Sequence, residues 1–376
     1  MASSLFAAQP LKAIFIVIFF AKLPIELTFV AFKYLFKPLR PQPAWSWSRC
    51  LLVYITKLSF QLFAGARLQR AVYNEPASAK ERYAQIEKPA ASVVAAIPGA
   101  LDIVKPSPQE AVWFPSPPPK PSDPAGEKRR IFLYFPGGAY VVAFGHKSIG
   151  HDVHRVFEKH LKATRTVWAQ YRLSDGSEGL RFPAALQDAV TFYSYVLSLG
   201  FKAHDIILTG DSAGGNLVLA LIRYLESIQD KGQALPLPRS AMIFSPWVSI
   251  SENAGGDYSK SLNSQSDLLW SPLLQWGADC YRPQGQLSRE VEAYISPLHH
   301  PFKLSIPLAI QDGALEAFHA NIKEFAQEMK ALNGDRLVQF QSVPLCPHDP
   351  LLVYKGFGLE QEFGEALGLL CNFLDA

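Results

Sequence analysis

Ile206-Ile-Leu-Thr-Gly-Asp-Ser-Ala-Gly-Gly-Asn216 is the stretch whose reading decides the fold. Its short apolar run, Ile206 to Leu208, breaks at Gly210, and Leu217-Val-Leu-Ala-Leu-Ile222 then follows at helical spacing. The order is therefore strand, sharp turn, helix, which is the context a G-x-S-x-G pattern needs before it signifies a nucleophile. Ser212 stands in that turn between Gly210 and Gly214, which bring no side chains to collide with neighbouring strands. Ala213, at the start of the helix, offers a backbone N–H at the place where an oxyanion would form.

Outward from this turn the pattern repeats. Short runs suited to buried strands lie at Ile131–Phe135, Thr166–Tyr171, Ala241–Phe244, Pro307–Ile310 and Val338–Val343. Helical stretches separate most of them, at Pro183–Leu199, Asn216–Gln229 and Ala317–Leu332. The spacing predicts an α/β fold with a mostly parallel central sheet and helices on both faces. Reactive groups in such sheets collect at the carboxyl ends of the strands.

A serine hydroxyl is a poor nucleophile until a base takes its proton and a third group holds that base in place. On a sheet of this kind the chain order is serine, acid, histidine. His348 fits the last role, in the loop Val343-Pro-Leu-Cys-Pro-His-Asp-Pro350 after the last strand run. The acid is Asp312 or Glu316, in Ile310-Gln-Asp-Gly-Ala-Leu-Glu-Ala-Phe318, and the residues alone leave both open. Phe135-Pro-Gly-Gly-Ala-Tyr140 ends the first strand of this region, so the N–H groups of Gly137 and Gly138 are expected to join that of Ala213 as oxyanion donors.

Composition bounds the alternatives. A chain of 376 residues with 49% hydrophobic residues can bury one large catalytic core, and a net charge of +3 is too slight to argue for nucleic acid. The four cysteines lie far apart with no C-x-x-C pair, so neither a disulfide framework nor a zinc site is read. His151 and His154 share a helical face without a third ligand, and no pattern points to a metal or a cofactor.

The N-terminal segment is apolar from Ala13 to Phe32 except at Lys22, Pro24, Glu26 and Thr28, with Lys33, Lys37, Arg40 and Arg49 after it. About a dozen apolar side chains at roughly −0.3 to −0.6 kcal/mol each nearly cancel two central charges at about +2.5 to +3.5 each. Lys22 and Glu26, one turn apart, offset each other in part. This predicts membrane attachment, by one span or by a helix lying in the interface; a span would leave the main domain facing the cytosol. The expected divisions are 1–40 as anchor or interfacial helix, 41–130 as cap helices and proline-rich connector, and 131–376 as catalytic domain with a cap insert near 250–300. The middle part contains the amphipathic stretch Leu51–Phe63 and the prolines of 105–129.

Taken together, these motifs resemble the hormone-sensitive-lipase-like branch of the α/β-hydrolases, including its membrane-attached esterases and steryl acetyl hydrolases. The likeness covers most of 131–376: the Gly-Gly motif, Tyr171-Arg-Leu173, Phe182-Pro-Ala-Ala-Leu-Gln-Asp188, Gly210-Asp-Ser-Ala-Gly-Gly215, Ser245-Pro-Trp247 and Pro347-His-Asp349. The family acid lies on a Gly-x-x-acid segment leading into a helix, which implies Glu316. A cap built from the N-terminal region and from the insert after Ser-Pro-Trp is implied as well. Tyr140 and Trp247 complete the candidate set as substrate-binding residues. Two departures stand out: the family's His-Gly-Gly-Gly is Pro136-Gly-Gly-Ala139 here, and Ser174-Asp-Gly-Ser-Glu178 replaces the usual Pro-Glu after Tyr-Arg-Leu.

The expected function is a serine carboxylesterase acting on a small apolar ester, with the membrane as its second partner. Acyl transfer, elimination or cyclisation by the same triad is the alternative chemistry. A non-catalytic receptor would require loss of the base, whereas His348 is present.

Overall fold

The computed structural model describes residues 8–70, 73–98, 104–119, 130–229 and 235–375. Its strands are β1 (Tyr83–Ile86), β2 (Gln109–Phe114), β3 (Ile131–Phe135), β4 (Arg165–Gln170), β5 (Ile206–Asp211), β6 (Ser240–Phe244), β7 (Leu308–Gly313) and β8 (Val338–Val343). The main helices are α1 (Leu11–Lys33), α2 (Trp47–Gly65), α3 (His146–Leu161), α4 (Ala184–Ser198), α5 (Ser212–Ile228), α6 (Ala254–Lys260), α7 (Ser271–Tyr281), α8 (Arg289–Ile295), α9 (His319–Asn333) and α10 (Glu360–Asp375).

All five residues of β3 are buried because the strand is covered on both faces. Ile131, Leu133 and Phe135 join the core beneath α4, α5 and α9, whereas Phe132 and Tyr134 join the core beneath α3 and α10. The alternation is the period of two that a strand imposes. The sheet runs β1-β2-β4-β3-β5-β6-β7-β8, parallel from β4 to β8.

The division at residue 130 needs correcting. β2 pairs antiparallel with β4, and β1 pairs antiparallel with β2, so residues 83–114 extend the catalytic sheet rather than belonging to a separate cap and connector. The break in composition comes from the prolines that follow β2, not from a domain boundary. The last part of that connector, 120–129, lies outside the described residues.

At the end of β5 the register sets Gly210 beside Phe135 of β3. A Cβ on Gly210 would lie 2.7 Å from the Phe135 carbonyl oxygen, and one on Gly214 only 1.9 Å from it. Strand, turn and helix can meet this closely only without those side chains. Gly214→Ala is therefore expected to lower stability by about 1–3 kcal/mol or more, read as a reduced urea midpoint at unchanged m.

Candidate active site

Ser212 opens α5 with φ +52°, a left-handed conformation that a non-glycine residue adopts only when its surroundings force it. The turn lifts it to the carboxyl end of the sheet. There it lines a cavity of ≈ 160 Å³ together with His348, Gly138 and Ala139. The rest of the wall is mostly apolar, from Phe60 of α2, Phe144, Leu268, Leu269, Leu273, Leu274 and Leu352. A larger and more polar cavity of ≈ 280 Å³, near Arg70, Glu110 and Arg172, is lined by Pro136 and Gly137 but by neither Ser212 nor His348.

His348 Nδ1 lies 3.4 Å from Glu316 Oε2, an ion-pair contact longer than a good hydrogen bond. Glu316 accepts from the Ser245 hydroxyl at 2.5 Å, and Ser245 in turn accepts from the Asp349 N–H at 3.0 Å. The other acidic candidate, Asp312, is engaged elsewhere: its carboxylate holds His319 Nδ1 at 2.8 Å and the Ser342 hydroxyl. The structure thus brings Glu316 to His348 and Asp312 to His319. No hydrogen bond joins Ser212 to His348 among the described residues, as is common before substrate draws such groups together.

Burial disfavours charge on His348, but the carboxylates of Glu316, Asp267 and Asp211 outweigh it and raise the imidazole above its ordinary value. Burial pushes Glu316 up to about 7, against the pull of His348. A base that must be neutral to act then works only above its raised pKa. The acid limb of kcat/KM is expected to have its midpoint above pH 6.5, and a limb centred below 6 would contradict this placement.

The oxyanion donors need a correction. The Gly137 N–H is already used, donating to both carboxylate oxygens of Asp211 at 3.0 Å, so Gly137 is not available to an acyl oxygen. The N–H groups of Gly138, Ala139 and Ala213 take no partner among the described residues. Gly138 (φ +128°), Ala139 (φ +51°) and Tyr140 (φ +63°) carry the strained loop that presents them. A Cβ on Gly138 would lie 2.0 Å from the Val142 carbonyl oxygen, so only glycine fits there.

Tyr140 and Trp247 are corrected too: neither lines the cavity, and both are buried. Tyr140 stacks on Tyr281 at 3.7 Å and donates to Asn216 Oδ1 at 2.7 Å. Trp247 stacks on Phe318, whose ring meets His348 edge-on at 5.3 Å. They support the site from behind, with their aromatic faces spent on packing.

Three acidic residues that sequence reasoning left unassigned hold the loops together. Asp211 also accepts from the Tyr134 hydroxyl. Burial and the facing Asp211 hold the Asp349 carboxyl well above the usual carboxylate range, so that it favours its protonated form beside Asp211. Asp267 accepts from the N–H groups of Ala317 at 3.0 Å and His348 at 3.1 Å, tying the acid turn to the histidine loop. Asp349→Asn keeps a donor toward Asp211 and is expected to melt close to the parent. Asp349→Leu is expected to lose about 1–3 kcal/mol in urea denaturation.

Residues 132–351 match the family described as alpha/beta hydrolase fold. An acetyl-hydrolase of Streptomyces hygroscopicus is 32% identical over 228 residues, covering 60% of this chain and 69% of that protein. An esterase of Acinetobacter venetianus is 29% identical over 164 residues, 43% of this chain and 49% of its own length. Among solved structures, an esterase from the bacterial hormone-sensitive lipase family superposes with TM-score 0.55 at 22% identity, covering 88% of this chain and 98% of that one. The chain belongs to the α/β-hydrolase family.

Proposed function

We propose that this α/β hydrolase is a serine carboxylesterase that removes a short acyl group from an apolar alcohol. The observation that carries this reading is Ser212 and His348 on one mostly apolar cavity, with Glu316 3.4 Å behind the imidazole. The names of the relatives, acetyl-hydrolase and esterase, support it. Ser212 attacks the ester carbonyl while His348 takes its proton; Glu316 holds the imidazole and balances its charge. The oxygen that gains charge is met by the N–H groups of Gly138, Ala139 and Ala213. His348 returns the proton to the leaving alcohol, and water then attacks the acyl-enzyme by the same route.

Size selects the acyl group. A cavity of ≈ 160 Å³ is well below the roughly 300–1,000 Å³ of sites that enclose a whole ligand, so it takes a few carbons and leaves the alcohol outside. Membrane association belongs to the same reading, since α1 is long and apolar enough to cross a bilayer by length and composition.

A fluorophosphonate probe tests the nucleophile. The expected result is labelling of the parent at Ser212 and none of Ser212→Ala; a parent that resists the probe overturns the assignment. Nitrophenyl acetate is expected to exceed nitrophenyl octanoate in kcat/KM, and the reverse order would contradict the short-acyl reading.

A further inference from the structure

We infer that α1 does not cross the bilayer but lies in its plane, held against the body of the enzyme. The inference deepens the membrane association proposed above. A helix of 23 residues is about 34 Å long, enough to span. Its packing argues otherwise, because α1 is docked along its whole length on α2 as an antiparallel hairpin. Near its start, Phe15 packs so closely on the end of α2 that a Cβ on Gly65 would lie 2.4 Å from the ring. In the middle, Glu26 accepts from the Tyr54 hydroxyl at 2.5 Å. Toward its end, the Ala31 carbonyl accepts from Trp47 Nε1 at 2.7 Å.

The second helix is fastened to the catalytic domain in its turn. Lys57 Nζ donates to the Ser264 carbonyl at 2.7 Å, Arg49 to that of Gly358 at 3.2 Å, and Phe60 meets Phe144 edge-on. Standing α1 upright in a bilayer would carry α2 and the adjoining domain surface into hydrocarbon, where their exposed polar groups have no partners.

The face of α1 turned away from α2 is nevertheless built for lipid. Val17 is 67% exposed, Ile25 75%, Phe29 68% and Phe32 65%, and the apolar surface continues through Leu35 and Phe36. It carries no acid. Lys22 is paired with Glu26, and the exposed Lys33 and Lys37 lie at one end, where lipid phosphates would meet them. A second copy of the chain would bring Lys33 and Lys37 no acid from this same face, whereas anionic lipid headgroups pair with them. Lipid chains wrap such a surface completely. The same α2 that carries α1 contributes Thr56 and Phe60 to the Ser212 cavity, so an in-plane α1 places that cavity one helix away from the lipid.

The test is sidedness. In the full-length chain, with half-buried Cys371 changed to serine, Gln9→Cys, Lys37→Cys and, as domain reference, Gln286→Cys are each treated with a membrane-impermeant maleimide on sealed vesicles, with and without detergent. Membrane-bound protein whose three positions all react on one side is the expected result. Reaction of position 9 on the side opposite to 37 and 286 means that α1 spans, and overturns the inference. Recovery in the soluble fraction, as a dimer or as a monomer, overturns it as well. None of these readouts involves turnover, so failure of the esterase reading would show separately, as an inactive enzyme that is still membrane-bound.

Discussion

Ser212→Ala is expected to lower kcat/KM on nitrophenyl acetate by about 10,000-fold or more, with His348→Ala close behind and the double variant little worse than either. The non-additivity is the informative part. A hydroxyl and an imidazole that act as one unit lose nearly everything when either is removed, whereas two independent contributions would multiply. What remains should come from the backbone donors at Gly138, Ala139 and Ala213, which neither substitution touches. Both variants are expected to fold, because each truncates a side chain at the edge of a cavity rather than filling a packed core. A Ser212→Ala enzyme as fast as the parent would remove the nucleophile, and with it the mechanism.

The nucleophile turn was legible in the sequence because its requirement is local. Gly210 and Gly214 are spaced by the geometry of one turn, and no other residue tolerates a carbonyl 1.9 Å from its Cβ position. The strand runs of β3, β5, β6 and β7 were legible for a related reason: a strand buried on both faces has little choice but to be mostly apolar. β1 and β2 were not. They lie at the antiparallel edge, where Glu110 and Gln85 are tolerated, and the prolines after β2 suggested a boundary that the hydrogen bonding crosses.

Partners distant along the chain were equally hidden. Gly137 looked like an oxyanion donor until Asp211, 74 positions later, was seen to occupy its N–H. Tyr140 and Trp247 sit in motifs that face the site, yet a motif does not say which way an aromatic ring turns. Asp349, too, is read from the sequence as a plain neighbour of His348. Only the fold sets its buried carboxyl against Asp211, a pairing that ties the histidine loop to the nucleophile turn.

The choice of acid gives the second large effect. Glu316→Gln is expected to cost about 10,000-fold in kcat while leaving the fold intact, because the amide can face His348 but cannot balance the charge that forms on it. Asp312→Asn is expected to leave kcat/KM within about tenfold of the parent and to lower stability by about 1–3 kcal/mol, since its carboxylate serves His319 and Ser342. Measuring both properties in both variants separates the two roles. The opposite pattern, with Asp312→Asn inactive and Glu316→Gln merely less stable, would require the His348 loop to swing toward the end of β7. The tether from the His348 N–H to Asp267 at 3.1 Å and that from the Asp349 N–H to Ser245 at 3.0 Å oppose such a swing. Those backbone bonds hold the imidazole over Glu316, and the hydroxyl of Ser245, bonded at once to Glu316 and to the Asp349 N–H, fixes the distance between acid and base.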